Sequence, residues 1–252
     1  VKQKIRDRGI IFKISHYSES SLILKTFTRD RGLISILAKG MRKKPEASLL
    51  NPLNGYEFVL YEPQEAGLYL LGEFSLQTEH NLAENVESWA AAECALELYT
   101  HLIIPQDENS QYYGLLIVYL DYLQGVERNA VLVWWRFLLR VLILLGVPFD
   151  PLHCSQCHLS AKPILAFEKG TGALVCAACL DPVPDPDHWE LLGSQASLIL
   201  GLLPMIGDHL NTLCPDRTAV AQLNQLFSDF YASHFNKALK LRSLEVLEQF
   251  YA

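Results

Sequence analysis

The sequence predicts an α+β protein. A five-stranded barrel occupies residues 1–80, and an all-α domain over 81–252 carries an inserted four-cysteine element at about 150–182. Three observations predict this architecture. The first eighty residues form short runs rich in β-branched and aromatic residues, partly alternating in the two-residue period of strands. After Asn85 the apolar period becomes helical, with Ala, Leu and Glu prominent. Two cysteine pairs then interrupt the helical part.

The expected strands are 9–15, 21–27, 32–39, 56–61 and 68–75. Turn residues separate them: Ser18-Glu19-Ser20, Arg29–Gly32, Asn51-Pro52 with Asn54-Gly55, and Glu65-Ala66-Gly67. Five short strands in about seventy residues suit a small closed barrel, and the five-stranded OB-fold, which often binds oligonucleotides, is the matching architecture. Helical spacing then covers 86–104, 111–123 and 131–145, punctuated by Pro105 and Gly125 and ended by Gly146-Val147-Pro148. Helices resume over about 189–204, 218–235 and 241–250. The run 131–147 is the most apolar, but it carries Arg136 and Arg140 and is shorter than the roughly 20 apolar residues of a membrane span, so a buried core helix is expected.

Charge divides the chain unequally. Residues 1–44 hold twelve Lys and Arg against three Asp and Glu, a local net charge of +9 inside a chain of net charge −7. The remainder is −16. Such asymmetry points to a polyanionic partner for the basic part. Lys2, Lys4, Arg6 and Arg8 precede the first expected strand. Lys25, Arg29, Arg31, Lys39, Arg42, Lys43 and Lys44 fall on the second and third strands and the loops after them, where fixed positive charges can follow a phosphate backbone. Phe12, Phe27, Tyr56 and Tyr61 are available as stacking platforms or as barrel core. The basic opening segment lacks the apolar run of a signal peptide, so a reducing cytoplasm is the expected compartment.

Cys154-Ser-Gln-Cys157 and Cys176-Ala-Ala-Cys179 are two C-x2-C knuckles separated by eighteen residues, within the window of four-thiolate zinc sites. Each knuckle sets two sulfurs on one tight turn. A hairpin over 164–168 and 173–176, turning at Gly170-Thr-Gly172, would fold the second knuckle onto the first. Four sulfur ligands fill a tetrahedron and leave no open position, so one structural Zn2+ is expected, with no catalytic role. His153 and His158 flank the first knuckle as substitute ligands. Cys94 and Cys214 read as small core residues.

The chain has no G-x-x-x-x-G-K-[ST] loop, nucleophile elbow, H-E-x-x-H or H-x-E with P-C-x-x-C, and no enzymatic activity is expected. A zinc-ribbon interaction scaffold, whose basic strip binds an acidic protein, is the competing reading.

The stretch 16–42 resembles the N-terminal signature of the RecO family of bacterial recombination mediators. Its hallmarks stand here as the Tyr17–Ser20 turn, the Phe27–Gly32 hairpin and the Ala38–Arg42 strand end. The helix 135–146 followed by Asp150-Pro-Leu-His-Cys154 is similar to the family's entry to its zinc segment, and Lys240-Leu-Arg-Ser243 to a short basic motif near its end. Ser21 stands where the family commonly has an acidic residue. The resemblance implies an OB-fold, a helical domain and a zinc element that some members lack. It implies binding of single- and double-stranded DNA, annealing of complementary strands, and work with RecR and single-stranded-DNA-binding protein in loading RecA. Nucleoid association would follow. It also implies a docking place for the acidic, apolar C-terminal tail of the single-stranded-DNA-binding protein on the helical domain. Arg136 and Arg140, four apart on one helix face beside Leu139, Leu142 and Ile143, are the candidate carboxylate clamp.

Overall fold

Alternation of apolar and polar residues builds the first sheet in the computed structural model, which describes residues 3–63, 67–160, 163–180 and 185–251. Lys2 and the Glu65-Ala66 part of an expected turn lie outside the described residues. The chain divides into two compact units, Val1–Glu84 with Leu98–Gly125, and Asn85–Glu97 with Val126–Ala252.

The first unit contains β1 (Lys4–His16), β2 (Leu22–Thr28), β3 (Gly32–Ala38), β4 (Gly55–Tyr61) and β5 (Tyr69–Thr78). Strand β1 pairs antiparallel with both β2 and β4, and β5 joins β4 to β3, so the order β1-β2-β3-β5-β4 closes on itself as a barrel. The β3–β5 pairing is parallel. The barrel is OB-like, as the sequence predicts. One expectation is corrected: Lys4, Arg6 and Arg8 do not precede the first strand but lie on it. They are exposed and alternate with buried Ile5 and Asp7.

Leu22, Leu24, Ile34, Ile36, Tyr56, Phe58 and Leu60 fill the barrel core. Burying each large apolar side chain contributes about 1.5–3 kcal/mol. The one hydroxyl in this set is satisfied: Tyr56 donates to Leu49 O at 2.7 Å and accepts from Asn51 N at 2.8 Å. Phe12 and Phe27 leave the barrel on its outer side and pack against Tyr99, with ring centroids 6.5 and 5.2 Å away. Tyr99 belongs to α1 (Val86–His101), which α2 (Asn109–Leu123) follows. Buried His80 ties the two layers of this unit together, with Nδ1 2.8 Å from Leu53 O and Nε2 3.0 Å from Asp121 Oδ1. Gly32 turns β2 into β3 at φ +66°, and a Cβ there would lie 2.6 Å from Asn109 Oδ1. Only glycine meets both demands.

The second unit is helical around a small sheet. Its central helix α3 (Ala130–Leu144) is apolar on most of its circumference, as expected of a core helix. The Trp135 indole donates to Asn224 Oδ1 at 2.7 Å, and the Asn224 amide donates to Glu248 Oε1 at 2.6 Å. Strands β6 (Ile164–Glu168), β7 (Leu174–Cys176) and β8 (Trp189–Leu191) precede α4 (Ser194–Leu202), α5 (Arg217–Phe235) and α6 (Arg242–Glu248). The expected helix over 189–204 is corrected at its start. Trp189–Leu191 pairs with β6, which satisfies its backbone as a strand, and the helix begins only after Gly193. Cys94 is buried as expected, but Cys214 is exposed. Among the described residues, no helix is long and apolar enough to cross a membrane.

Candidate metal centre and nucleic-acid interface

The four knuckle cysteines converge. One ligand atom from each of Cys154, Cys157, Cys176 and Cys179 lies within 4.8 Å of the others, and the Cys157 and Cys176 sulfurs are 3.8 Å apart. Antiparallel pairing of β6 with β7 carries Cys176 into place, in register with Ile164. The hairpin turns through Gly170 and Gly172, both at positive φ. Each knuckle is closed by its own backbone: His158 N donates to Cys154 O at 2.8 Å, and Cys179 N donates to Cys176 O at 3.0 Å. His153 does not join the cluster, since its Nδ1 meets Asp150 Oδ2 at 2.6 Å.

The environment of the sulfurs favours ligation. Burial opposes ionisation of Cys154, yet N–H donors from Cys157, Cys176 and Gln156 outweigh it and bring the thiol down to about 6. Cys176 is lowered as well, burial being overcome by the N–H groups of Ala178 and Cys179. Cys179 is pushed up to about 12 by the Cys157 thiol beside it, by burial and by the other two sulfurs. Four thiolates this close would repel one another unless a cation sat among them. The donor set fits a tetrahedral metal ion with no open position. Buried Cys94 is pushed up to about 12 by desolvation and is an inert thiol.

The basic residues separate into exposed and committed groups. Lys25 lies opposite Lys13 on β1 and Ser35 on β3, on the outer face of the barrel. A bulge at Phe12 makes this row: Ile11 pairs with Thr26, and the next rung joins Lys13 to Lys25. Without the extra residue Lys13 would point into the core. Lys13 thus joins the candidate surface, and the only sequence signal for it was a charge interrupting the strand alternation. Arg29, Lys39, Lys43 and Lys44 are exposed. Arg42 is exposed too, with its guanidinium on Ser18 O at 2.7 Å. Arg31 is held apart from them, in ion pairs with Asp7 Oδ2 at 3.1 Å and Glu62 Oε1 at 3.3 Å. Of the proposed stacking platforms, Phe12, Phe27 and Tyr56 are buried and serve as packing; Tyr61 is partly exposed. The exposed aromatic of the basic part is Tyr17, in the β1–β2 turn.

On α3, Arg136 is half-buried and Arg140 exposed, on one stripe with Ile143. Leu139 and Leu142 are buried, which leaves Ile143 as the accessible apolar neighbour of the three anticipated. In the C-terminal motif, Arg242 N and the Ser243 N–H and hydroxyl donate to the Glu97 carboxylate, so Glu97 caps the first turn of α6. Ser21, at the family's acidic position, accepts from Gly40 N at 3.3 Å.

A closed OB-like barrel, followed by helices and a short sheet that brings four cysteines together, defines a class of two-part proteins whose helical part holds a candidate metal site. Two family models cover the chain. Recombination protein O N terminal matches residues 3–78, and Recombination protein O C terminal matches residues 83–245. The chain belongs to the RecO family of DNA repair and recombination proteins. It is similar to the DNA repair protein RecO of Cutibacterium acnes, 24% identical over 251 residues, covering 97% of this chain and 98% of that protein. The DNA repair protein RecO of an Exiguobacterium species is 26% identical over 248 residues, covering 96% and 94%. With that of Prosthecochloris aestuarii, identity is 26% over 164 residues, and the match spans 64% of this chain and 61% of the relative.

Proposed function

We propose that this chain is a non-enzymatic mediator that binds single- and double-stranded DNA, anneals complementary strands and, with RecR, helps load RecA on strands coated by single-stranded-DNA-binding protein. The observation that carries the reading is a set of cations on and around strands β1 to β3: exposed Lys13 and half-buried Lys25 on the outer face of the barrel, exposed Arg29 in the β2–β3 turn, and exposed Lys39, Arg42, Lys43 and Lys44 in the segment after β3. Strands 2 and 3 and the adjoining loops are where OB barrels take up oligonucleotides. Annealing then needs only charge neutralisation that lets two strands approach. The cysteine cluster is assigned one structural Zn2+, on ligand type and number. Arg136, Arg140 and Ile143 are the docking place for the coating protein's acidic, apolar tail: guanidinium for carboxylate, isoleucine for the apolar anchor.

A salt titration of binding tests the central claim. With about five phosphates neutralised on a single strand, log K falls against log salt with a slope near −3.5. A flat response would instead favour a scaffold whose basic strip binds an acidic protein. Annealing without ATP, run on bare and on coated strands, tests the rest. Arg140→Ala is expected to slow annealing of coated strands and to spare bare ones; equal loss on both would reject the docking role.

A further inference from the structure

The β1–β2 turn presents an aromatic ring that the packing of the barrel does not use. Tyr17 is 59% exposed, whereas Phe12, Phe27 and Tyr56 are buried. Exposure alone says little about one tyrosine, but this turn is fastened from two directions. Internally, Tyr17 N donates to Ser21 O at 3.0 Å, and Ser18 Oγ accepts from Ser20 N and Ser21 N at 3.4 and 3.2 Å. From outside, Arg42 N donates to Ser20 O at 3.0 Å, the Arg42 guanidinium donates to Ser18 O at 2.7 Å, and Gly40 N donates to Ser21 Oγ at 3.3 Å. The turn is therefore strapped to the segment that bears Lys39, Arg42, Lys43 and Lys44. The turn's acid, Glu19, is outnumbered by those four cations.

We infer that Tyr17 is a stacking platform for an unpaired base, so that the barrel takes single-stranded nucleic acid through this turn and discriminates it from duplex. The inference rests on the DNA-binding reading and sharpens it. Phosphates contact the cations on either form, so the charge set does not tell one strand from two. A ring face offers a partner only to a base free of its own stack. Along the barrel, the row Lys13–Lys25 lies three rungs from the His16–Leu22 pair next to the turn, about 10 Å at strand spacing. Ring and cations thus share one path: the base stacks at Tyr17 while the backbone follows the lysines. A strapped turn loses little freedom when the base arrives, which is where a rigid aromatic gains its affinity.

The experiment compares the full-length protein with Tyr17→Ala and Tyr17→Phe. Binding is measured to labelled oligo(dT) and to a blunt duplex of equal length, together with quenching of a strand carrying 2-aminopurine. Tyr17→Ala is expected to weaken oligo(dT) binding about tenfold, the size of one lost stacking contact. Duplex affinity, thermal midpoint and the salt slope for oligo(dT) should stay at wild-type values, since no charge is removed. Tyr17→Phe should retain binding and quenching. Equal weakening on strand and duplex, no weakening, or a Tyr17→Phe that behaves like alanine would each overturn the inference while leaving the DNA-binding reading in place. A wild-type protein that binds neither probe would overturn both.

Discussion

Within the barrel wall, Asp7 and Arg31 pull each other's titration in one direction while burial pulls in the other. For Asp7 burial is the largest influence; it outweighs hydrogen bonds from Arg31 and Thr28, with nearby Asp30 adding to the shift, and the carboxyl is raised above 3.8. For Arg31 burial acts to lower, but pairing with Asp7 and Glu62 outweighs it and the guanidinium is held more firmly. Folded Asp7 therefore keeps its proton to higher pH than an unfolded aspartate. The folded state binds more protons in the window just above 3.8, and stability falls as pH rises through it, the reverse of an ordinary salt-bridged carboxylate. Urea midpoints measured across that window should decline with rising pH in the wild type relative to Asp7→Asn. An opposite slope would mean that the attraction of Arg31 exceeds the cost of burial. The sequence makes the charge of Arg31 plain and hides its commitment, because Asp7 and Glu62 are 24 and 31 residues away. Lys13 was hidden for a different reason, since a bulge re-aims it and bulges leave no residue-type signature there.

Among the elements, the four-cysteine ribbon was the most legible. Two knuckles at fixed spacing and a pair of glycines dictate a hairpin, and β6 and β7 form where expected. Gly172 is needed twice over, for φ +70° and because a Cβ would sit 2.8 Å from Phe230 Cβ. The third strand was not legible. Trp189–Leu191 is three residues long and borders an apolar helical run, so its strand identity comes from β6 alone. Because the ribbon sheet is so short, the metal is expected to carry its stability. Elemental analysis should find one metal per chain, lost on chelation. Cys154→Ser and Cys176→Ser should each lower the thermal midpoint by about 4 °C or more, corresponding to about 2 kcal/mol. Stoichiometric metal in a variant with both knuckles substituted would reject the assignment.

At the scale of the whole molecule, net charge is a poor guide and its distribution a good one. A total of −7 conceals the +9 of residues 1–44, and those residues become three adjoining barrel strands and the segment after them. The order of strands was not legible, because the cations before Gly9 look like a tail and turn out to be the half of β1 that closes on β4. Closure itself is uneven. Four of the five pairings join seven residues each, whereas β3 meets β5 only at Ile36–Tyr69 and Leu37–Leu70. A ring breathes at its weakest joint. Hydrogen exchange is therefore expected to be faster for the amides bridging Ile36, Leu37, Tyr69 and Leu70 than for those between β1 and β2, and equal protection would show a uniform wall. The same joint lies on β3, the strand that leads into the cationic segment, so an opening of the wall there would reach the chain that bears Lys39, Arg42, Lys43 and Lys44.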